Sequence, residues 1–236
     1  MKDFEERKYD VLVIGAGAAG MRAAIAASDE GASVCLVSKS LLGKAHTVMA
    51  EGGAAAALGN ADKRDYWKVH FRDTVKGGKH LNNWKMAKIH AEQAPERILE
   101  LERWGAVFDR TKDGKINQRN FGGHRYPRLA HVGDRTGLEI IRTVQDKVIH
   151  QDSIDIFMEC TVASIITENE QAVGAIAYYR NNGDIIAIHA KAIVVATGGI
   201  GKAYRVTSNS WEYTGDGHSL AYLAGADLQD MEFIQF

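Results

Sequence analysis

Apolar residues near the start of the chain come in short unbroken runs. Tyr9-Asp10-Val11-Leu12-Val13-Ile14 and Ser33-Val34-Cys35-Leu36-Val37 lack the alternation of a half-exposed strand. They have the pattern of parallel strands covered on both faces. Between them, residues 21–30 are rich in alanine and stop at Gly31, which predicts a helix with a glycine just beyond its last turn. Residues 82–103 predict two helical segments broken near Pro95 and ended by Gly105. Asp113-Gly114 predicts a turn, and residues 135–150 another helix. Residues 154–166, 172–180 and 185–196 predict strands, the last two joined by an Asn182-Gly183 hairpin turn. Residues 215–223 predict a short helix and 228–236 a closing strand.

The strand–helix–strand start occupies about thirty residues, the length of a dinucleotide-binding βαβ unit. The fold class that follows is α/β: a Rossmann-like domain with a parallel sheet, helices on both faces and an inserted antiparallel β-hairpin layer. No repeat, low-complexity tract or linker interrupts the 236 residues, so one domain over 1–236 is expected. Hydrophobic content of 45% and charged content of 25% are ordinary for a globular protein. A net charge of −1 argues against a nucleic-acid partner, which would call for a basic excess. No run approaches the roughly 18 apolar residues that would span a bilayer, and residues 1–7 hold neither an apolar signal core nor an arginine pair, so export is not expected. Cys35 and Cys160 lie in apolar runs with no Cys-x-x-Cys. They are expected to be buried reduced thiols, and this chain alone cannot ligate an iron–sulfur cluster. His70, His80, His90 and His150 have no metal-ligand spacing, and no metal site is expected.

Gly15-Ala16-Gly17-Ala18-Ala19-Gly20 is weak evidence by itself in a chain with 24 glycines. Its place between an apolar strand and a helix makes it informative. Gly15 permits a tight turn, Gly17 lets the backbone approach a pyrophosphate, and Gly20 allows close helix–strand packing. The helix N-terminus then offers N–H groups and partial positive charge to phosphates. The carboxylate that usually grips a ribose about twenty residues on is missing, because Ser38-Lys39-Ser40 follows the second strand. That counts against an ordinary NAD enzyme, although Lys39 alone could be a solvated surface charge.

The most specific stretch is Gly43-Lys44-Ala45-His46-Thr47-Val48-Met49-Ala50-Glu51-Gly52-Gly53. With the glycine loop, Ala196-Thr197-Gly198-Gly199 and Thr214-Gly215-Asp216-Gly217, it resembles the flavoprotein subunit of succinate dehydrogenase and fumarate reductase. The resemblance implies FAD as cofactor, bonded covalently through His46 to the flavin 8α carbon. A neutral imidazole is a competent nucleophile near pH 7; taken alone, a loop histidine would merely hydrogen-bond. The resemblance further assigns to the cofactor Gly15, Ala16, Gly17, Ala18, Ala19 and Gly20, then Ser38, Lys39, Thr47, Ala50, Gly52 and Gly53. Val162, Ala196, Thr197, Gly198 and Asp216 complete that set, though Asp216 alone would read as a helix-start acid. Gly52 and Phe121 are assigned to the dicarboxylate pocket; a lone Phe121 would default to core packing. Arg135, in Asp134-Arg135-Thr136-Gly137, reads first as an ion-pair residue. Glu51 departs from the glutamine common in the family, and a carboxylate near the flavin would disfavour its anionic reduced form.

By the same resemblance the intact subunit interconverts succinate and fumarate by hydride transfer to flavin. Electrons then pass to a quinone by way of iron–sulfur and membrane-anchor subunits, at the cytoplasmic face of the cell membrane. The family's acid–base arginine and most of its substrate ligands have no counterpart before Phe236, so no catalytic residue is assigned. Met231-Glu232-Phe233-Ile234-Gln235-Phe236 has no cap or polar tail after it, which reads as the N-terminal two-fifths of such a protein, ahead of a substrate-capping domain. Two other readings stay open: a non-covalent relative such as L-aspartate oxidase or a soluble fumarate reductase, and a flavin-binding module without turnover.

Overall fold

The computed structural model describes residues 4–235. It divides into two compact units, Met1–Thr47 with Val144–Phe236, and Val48–Thr143.

The first unit is built on a six-stranded sheet. Its parallel part comprises β1 (Glu5–Ile14), β2 (Val34–Val37), β6 (Ile154–Phe157) and β9 (Ile185–Val195), and its antiparallel part adds β7 (Cys160–Glu168) and β8 (Gln171–Tyr179). The order is β6-β2-β1-β9-β8-β7. The apolar run at residues 11–14 pairs with β2 on one side and β9 on the other, which is why it carries no polar face. The strand also starts earlier than the apolar pattern suggests, because β9 outlasts β2 and pairs with β1 back to Glu5. Helix α1 (Ala18–Asp29) packs on β1 and β2, and α5 (Asp216–Leu223) contacts β7.

The strand expected over 154–166 is two strands. The turn at Met158 and Glu159, with Glu159 at φ 51°, sends the chain from one edge of the sheet order to the other. Only a sheet that curls back on itself can join its two edges by so short a link, and Cys160 N–H indeed donates to Ser38 O at 2.9 Å. The layers enclose a core that includes Leu12, Ile14, Val37, Val162, Ile186, Ile188 and both cysteines. Cys35 and Cys160 are free thiols. Burial pushes the Cys160 thiol up to about 11 and Cys35 higher still, so both are protonated at neutral pH. The strand expected over 228–236 is absent among the described residues. Asp230 takes φ 57°, and Phe233 N–H closes a turn onto its carbonyl at 3.0 Å; Phe236 lies outside the described residues.

The second unit holds a three-stranded antiparallel sheet in the order β3 (Ala54–Ala55), β5 (Leu129–Ala130), β4 (Gln118–Arg119). Helices α2 (Trp67–Gly77) and α3 (Trp84–Arg103) pack on each other. The border with the first unit falls within α4 (Thr136–Ile149). Helix α3 is one helix where the pattern suggested two, with Pro95 in its interior. An interior proline costs about 3 kcal/mol, yet burial of Ala87 and Ala91 before it and Ile98 after it keeps both halves on one core. Asn83 caps the helix, its side-chain oxygen accepting from Lys85 and Met86 N–H at 3.1 and 3.3 Å.

Candidate cofactor site

Strand ends, a helix start and three loops of the first unit converge on one cleft. It lies at the carboxyl ends of β1, β2 and β9 and encloses about 930 Å³, part of it open to solvent. Ligands of open α/β sheets bind at that end of the strands. The ends are tied together by Gly15 N–H to Val37 O and Ala196 N–H to Ile14 O, both 2.8 Å.

Two glycines set how closely these pieces meet. Gly15 sits at φ 111°, and a Cβ there would be 2.4 Å from Ala196 O. A Cβ on Gly20 would be 1.8 Å from Gly15 O, so α1 can rest on the loop only because Gly20 has no side chain. Gly15, Ala16, Gly17, Ala18 and Ala19 face the cleft, while Gly20 is buried behind it. Helix α1 begins after Gly17 with no side-chain cap and no acid in its first turn. Its first N–H groups are therefore a seat for an anion.

The rim beyond β2 carries the charge. Ser38 is buried and shares the wall with Lys39. Lys39 Nζ donates to Thr214 Oγ1 at 2.6 Å and pairs with Asp216 Oδ2 at 2.7 Å. It is thus an anchored ion pair rather than a free surface charge. Burial works to raise the Asp216 carboxyl, but hydrogen bonds from Lys39 and Thr214 outweigh it and hold the group below its ordinary value. The rest of the wall includes Val162, Ala196, Thr197, Gly198 and Thr47.

His46 also lines the cleft. Its Nδ1 accepts Ser210 N–H at 3.1 Å, so the neutral ring carries its proton on Nε2, which must give up that proton before it can act as a nucleophile. Tyr213 packs against the imidazole, ring centroids 4.5 Å apart. The wall residues Ser40, Lys44, Ala45, Cys160, Thr161, Glu212, Tyr213 and Leu220 were not singled out from sequence. Reading the Thr214-Gly215-Asp216 motif upstream by two residues would have found Glu212 and Tyr213, and Lys44 and Ala45 stand in the stretch just before His46; Thr161 and Leu220 carry no signal of their own.

Ala50, Gly52, Gly53 and Phe121 are not among the residues lining this cleft and belong to the second unit. Gly52 and Phe121 are neighbours there: a Cβ on Gly52 would be 3.5 Å from the Phe121 ring. Phe121 is 58% exposed, so it is not core packing. The adjoining carbonyls are held by Arg119, which donates from Nε to Gly52 O at 2.7 Å and from Nη2 to Glu51 O. Arg119 also pairs with Asp134 at 3.0 Å, so the ion pair expected of Arg135 belongs to its neighbour Asp134.

The same unit contains a buried polar cluster. Arg128 is fully buried, and its Nη2 meets Asp65 Oδ1 and Asp73 Oδ2, each at 2.8 Å. The His70 ring lies 5.1 Å from that of His90 and 6.0 Å from that of His124. Burial, reinforced by Arg128 and the other two histidines, lowers His70 to about 4. Among the described residues no group of His, Cys, Asp or Glu is arranged to hold a metal ion.

A glycine cradle at a helix start, set between two parallel strand ends and closed by a Lys–Asp pair, defines a dinucleotide-binding α/β protein. The chain belongs to the FAD binding domain family, whose model matches residues 10–236. It is similar to a polypeptide of the fumarate reductase (CoM/CoB) of Methanothermobacter marburgensis, 42% identical over 96% of this chain and 42% of the relative. It is also similar to the succinate dehydrogenase flavoprotein subunit of Rickettsia bellii, 39% identical over 97% of this chain and 39% of the relative. Among solved structures, Mycobacterium smegmatis Sdh1 in complex with UQ1 superimposes with a TM-score of 0.94 at 57% identity, over 98% of this chain and 40% of that one. The chain thus spans about two-fifths of the length of the relatives it matches.

Proposed function

We propose that this chain is the FAD-holding part of a flavoprotein that interconverts succinate and fumarate, with the cofactor bonded covalently through His46. The observation that carries the proposal is the seating of His46 in the wall of the glycine-cradle cleft, with Nδ1 occupied by a backbone N–H so that Nε2 is the nitrogen left for attachment once its proton is removed.

The residues present fit FAD. The uncapped start of α1, with Gly15 and Gly17 bringing bare backbone to the cleft, suits a pyrophosphate. Ser38 takes the place of a ribose carboxylate, and Lys39 and Asp216 close the rim beside it as a fixed pair. Val162, Cys160 and Leu220 give the cleft an apolar, water-excluding wall, since the Cys160 thiol stays protonated. When bound, FAD supplies the hydride acceptor and donor; the chain supplies binding and orientation. Gly52 and Phe121 are proposed to touch the dicarboxylate, with Ala50 and Gly53 near the flavin. Electrons are proposed to leave for a quinone through iron–sulfur and membrane-anchor subunits, which would hold the protein peripherally at the cytoplasmic face of the membrane. No helix among the described residues is long and apolar enough to cross a membrane.

The test is acid-stable flavin. The full-length flavoprotein, expressed with its assembly partners, is expected to give a fluorescent band after denaturing electrophoresis. His46→Ser is expected to lose that band and keep dissociable FAD, because the glycine cradle and Asp216 remain. Persistence of the band in His46→Ser rejects the assignment.

A further inference from the structure

One loop grips His46 on two sides. After the 3₁₀ turn Gly201–Ala203 the chain returns to the imidazole, where Ser210 N–H binds Nδ1 and the Tyr213 ring covers a face, the two planes tilted by 35°. The loop is closed by Tyr213 N–H to Ser210 O at 3.1 Å and anchored by Lys202 N–H to Tyr213 O at 2.9 Å. The tyrosine ring also presses on the turn that follows β9. A Cβ on Gly198 would be 2.3 Å from Tyr213 Cε1, and one on Gly199 3.1 Å from Cδ2. Tyr213 is therefore wedged between His46 and a backbone that cannot be moved aside without disturbing the end of β9. Burial raises its phenol, so the ring acts as a neutral aromatic surface.

We propose that Tyr213 is a positioning residue for covalent flavin attachment, its ring and Ser210 N–H together confining His46 to the rotamer that presents Nε2 to FAD. This rests on the reading of His46 given above. A histidine in a loop can otherwise visit several staggered wells, whereas bond formation needs the reacting atoms about 3–3.5 Å apart and aligned. In the step itself Nε2 would give its proton to the flavin, freeing the lone pair that attacks, while one C–H bond of the flavin 8α methyl breaks and one N–C bond forms. The two protons and the two electrons released pass to the flavin, which ends reduced, so no outside oxidant or reductant is required. Alkylated at Nε2, the neutral imidazole keeps its Nδ1 lone pair, and the Ser210 N–H remains satisfied.

The experiment compares wild type, Tyr213→Ala, Tyr213→Phe and His46→Ala in the full-length flavoprotein supplied with FAD. Two quantities are read: flavin fluorescence retained by acid-precipitated protein, and total flavin bound before precipitation. Tyr213→Ala is expected to lower the acid-stable share of the bound flavin by about tenfold to a hundredfold at matched times, the scale of an ångström's misplacement, a far larger fall than in total FAD, to whose cleft wall Tyr213 also belongs. Tyr213→Phe is expected to match wild type, since the ring and not the hydroxyl does the holding. An unchanged acid-stable fraction in Tyr213→Ala overturns the inference. So does a parallel loss of total flavin, which would make Tyr213 a binding or folding residue, and so does a Tyr213→Phe as defective as Tyr213→Ala. Failure of the underlying reading shows separately, as wild type without acid-stable flavin or His46→Ala that keeps it.

Discussion

Single residues at the cleft act mainly through what they omit. Gly20 lies inside α1, where exchanging glycine for alanine ordinarily adds about 1 kcal/mol of helix stability. Here the added methyl would meet the Gly15 carbonyl at 1.8 Å, and neither group is a flexible side-chain end. Gly20→Ala is therefore expected to destabilise by about 1–3 kcal/mol, the range for an overfilled site, and to weaken FAD binding by pushing α1 off the cradle. Gly77→Ala in α2, where nothing lies within 4 Å of the new Cβ, is the control and is expected to be neutral or slightly stabilising. Urea midpoints of the two variants check both signs. At this scale the sequence was informative wherever function is written in consecutive residues. Gly15 to Ala19, Ser38-Lys39, His46-Thr47 and Ala196 to Gly198, which the structure places on the cleft wall, stood out because a loop lines a cleft in chain order. The stacking of Tyr213 on His46 was invisible, because the two are far apart along the chain and no spacing reports rings packed in space. Arg128 was similarly opaque: an arginine in a loop is read as exposed until Asp65 and Asp73 are seen beside it.

At the scale of elements, the strands and the hairpin could be read because a buried run and an Asn-Gly turn are local signals. Helix α2 could not. Trp67, Val69 and Phe71 alternate as in a strand, and the residue the helix buries is His70, so the apolar periodicity that marks a helix is missing. A histidine in the place of an aliphatic anchor has a consequence for pH. Burial is the largest influence on His70, followed by the Arg128 guanidinium and then His90 and His124, against a weaker opposing pull from Asp73, and the outcome is a value near 4 in place of 6.5. A histidine lowered by folding contributes its stability above the unfolded value and loses it as pH falls through the folded one. The loss therefore runs from about pH 6.5 down to about pH 4. At about 1.4 kcal/mol for each pH unit it amounts to roughly 3 kcal/mol. Asp65, raised mainly by burial, pulls the other way on acidification, so wild type alone is a poor readout. The difference between wild type and His70→Gln isolates the effect: chemical denaturation at pH 7 and pH 4.5 is expected to show wild type losing ground to the variant. Parallel pH curves for the two proteins would mean that the helix α2 histidine is solvated in solution.

For the molecule as a whole, no composition shift or linker marks the border between compact units at Thr47 and Val48, or the return within α4. The border lies in three dimensions, and a sequence pattern that reports burial does not report it. Function has the same property at this scale. The cleft can hold a cofactor with the first unit's own residues, but the proposed hydride transfer also needs a substrate fixed at near-attack distance and a group to move a proton. The chain spans about two-fifths of the length of its relatives, and among the described residues no arginine lines the cleft. Arg128 is committed to Asp65 and Asp73 with no exposure, and Arg119 to backbone carbonyls and Asp134. On the proposed reading an arginine moves the proton, and since misplacement by about an ångström already costs roughly a hundredfold, a cleft lined by none should leave nothing measurable. The 236-residue chain reconstituted with FAD is therefore expected to bind the cofactor yet reduce no artificial acceptor with succinate above the rate of free FAD. Turnover by the chain alone would place the proton-moving group among its own residues. Arg125 and Arg135, both exposed, would then be the first to substitute.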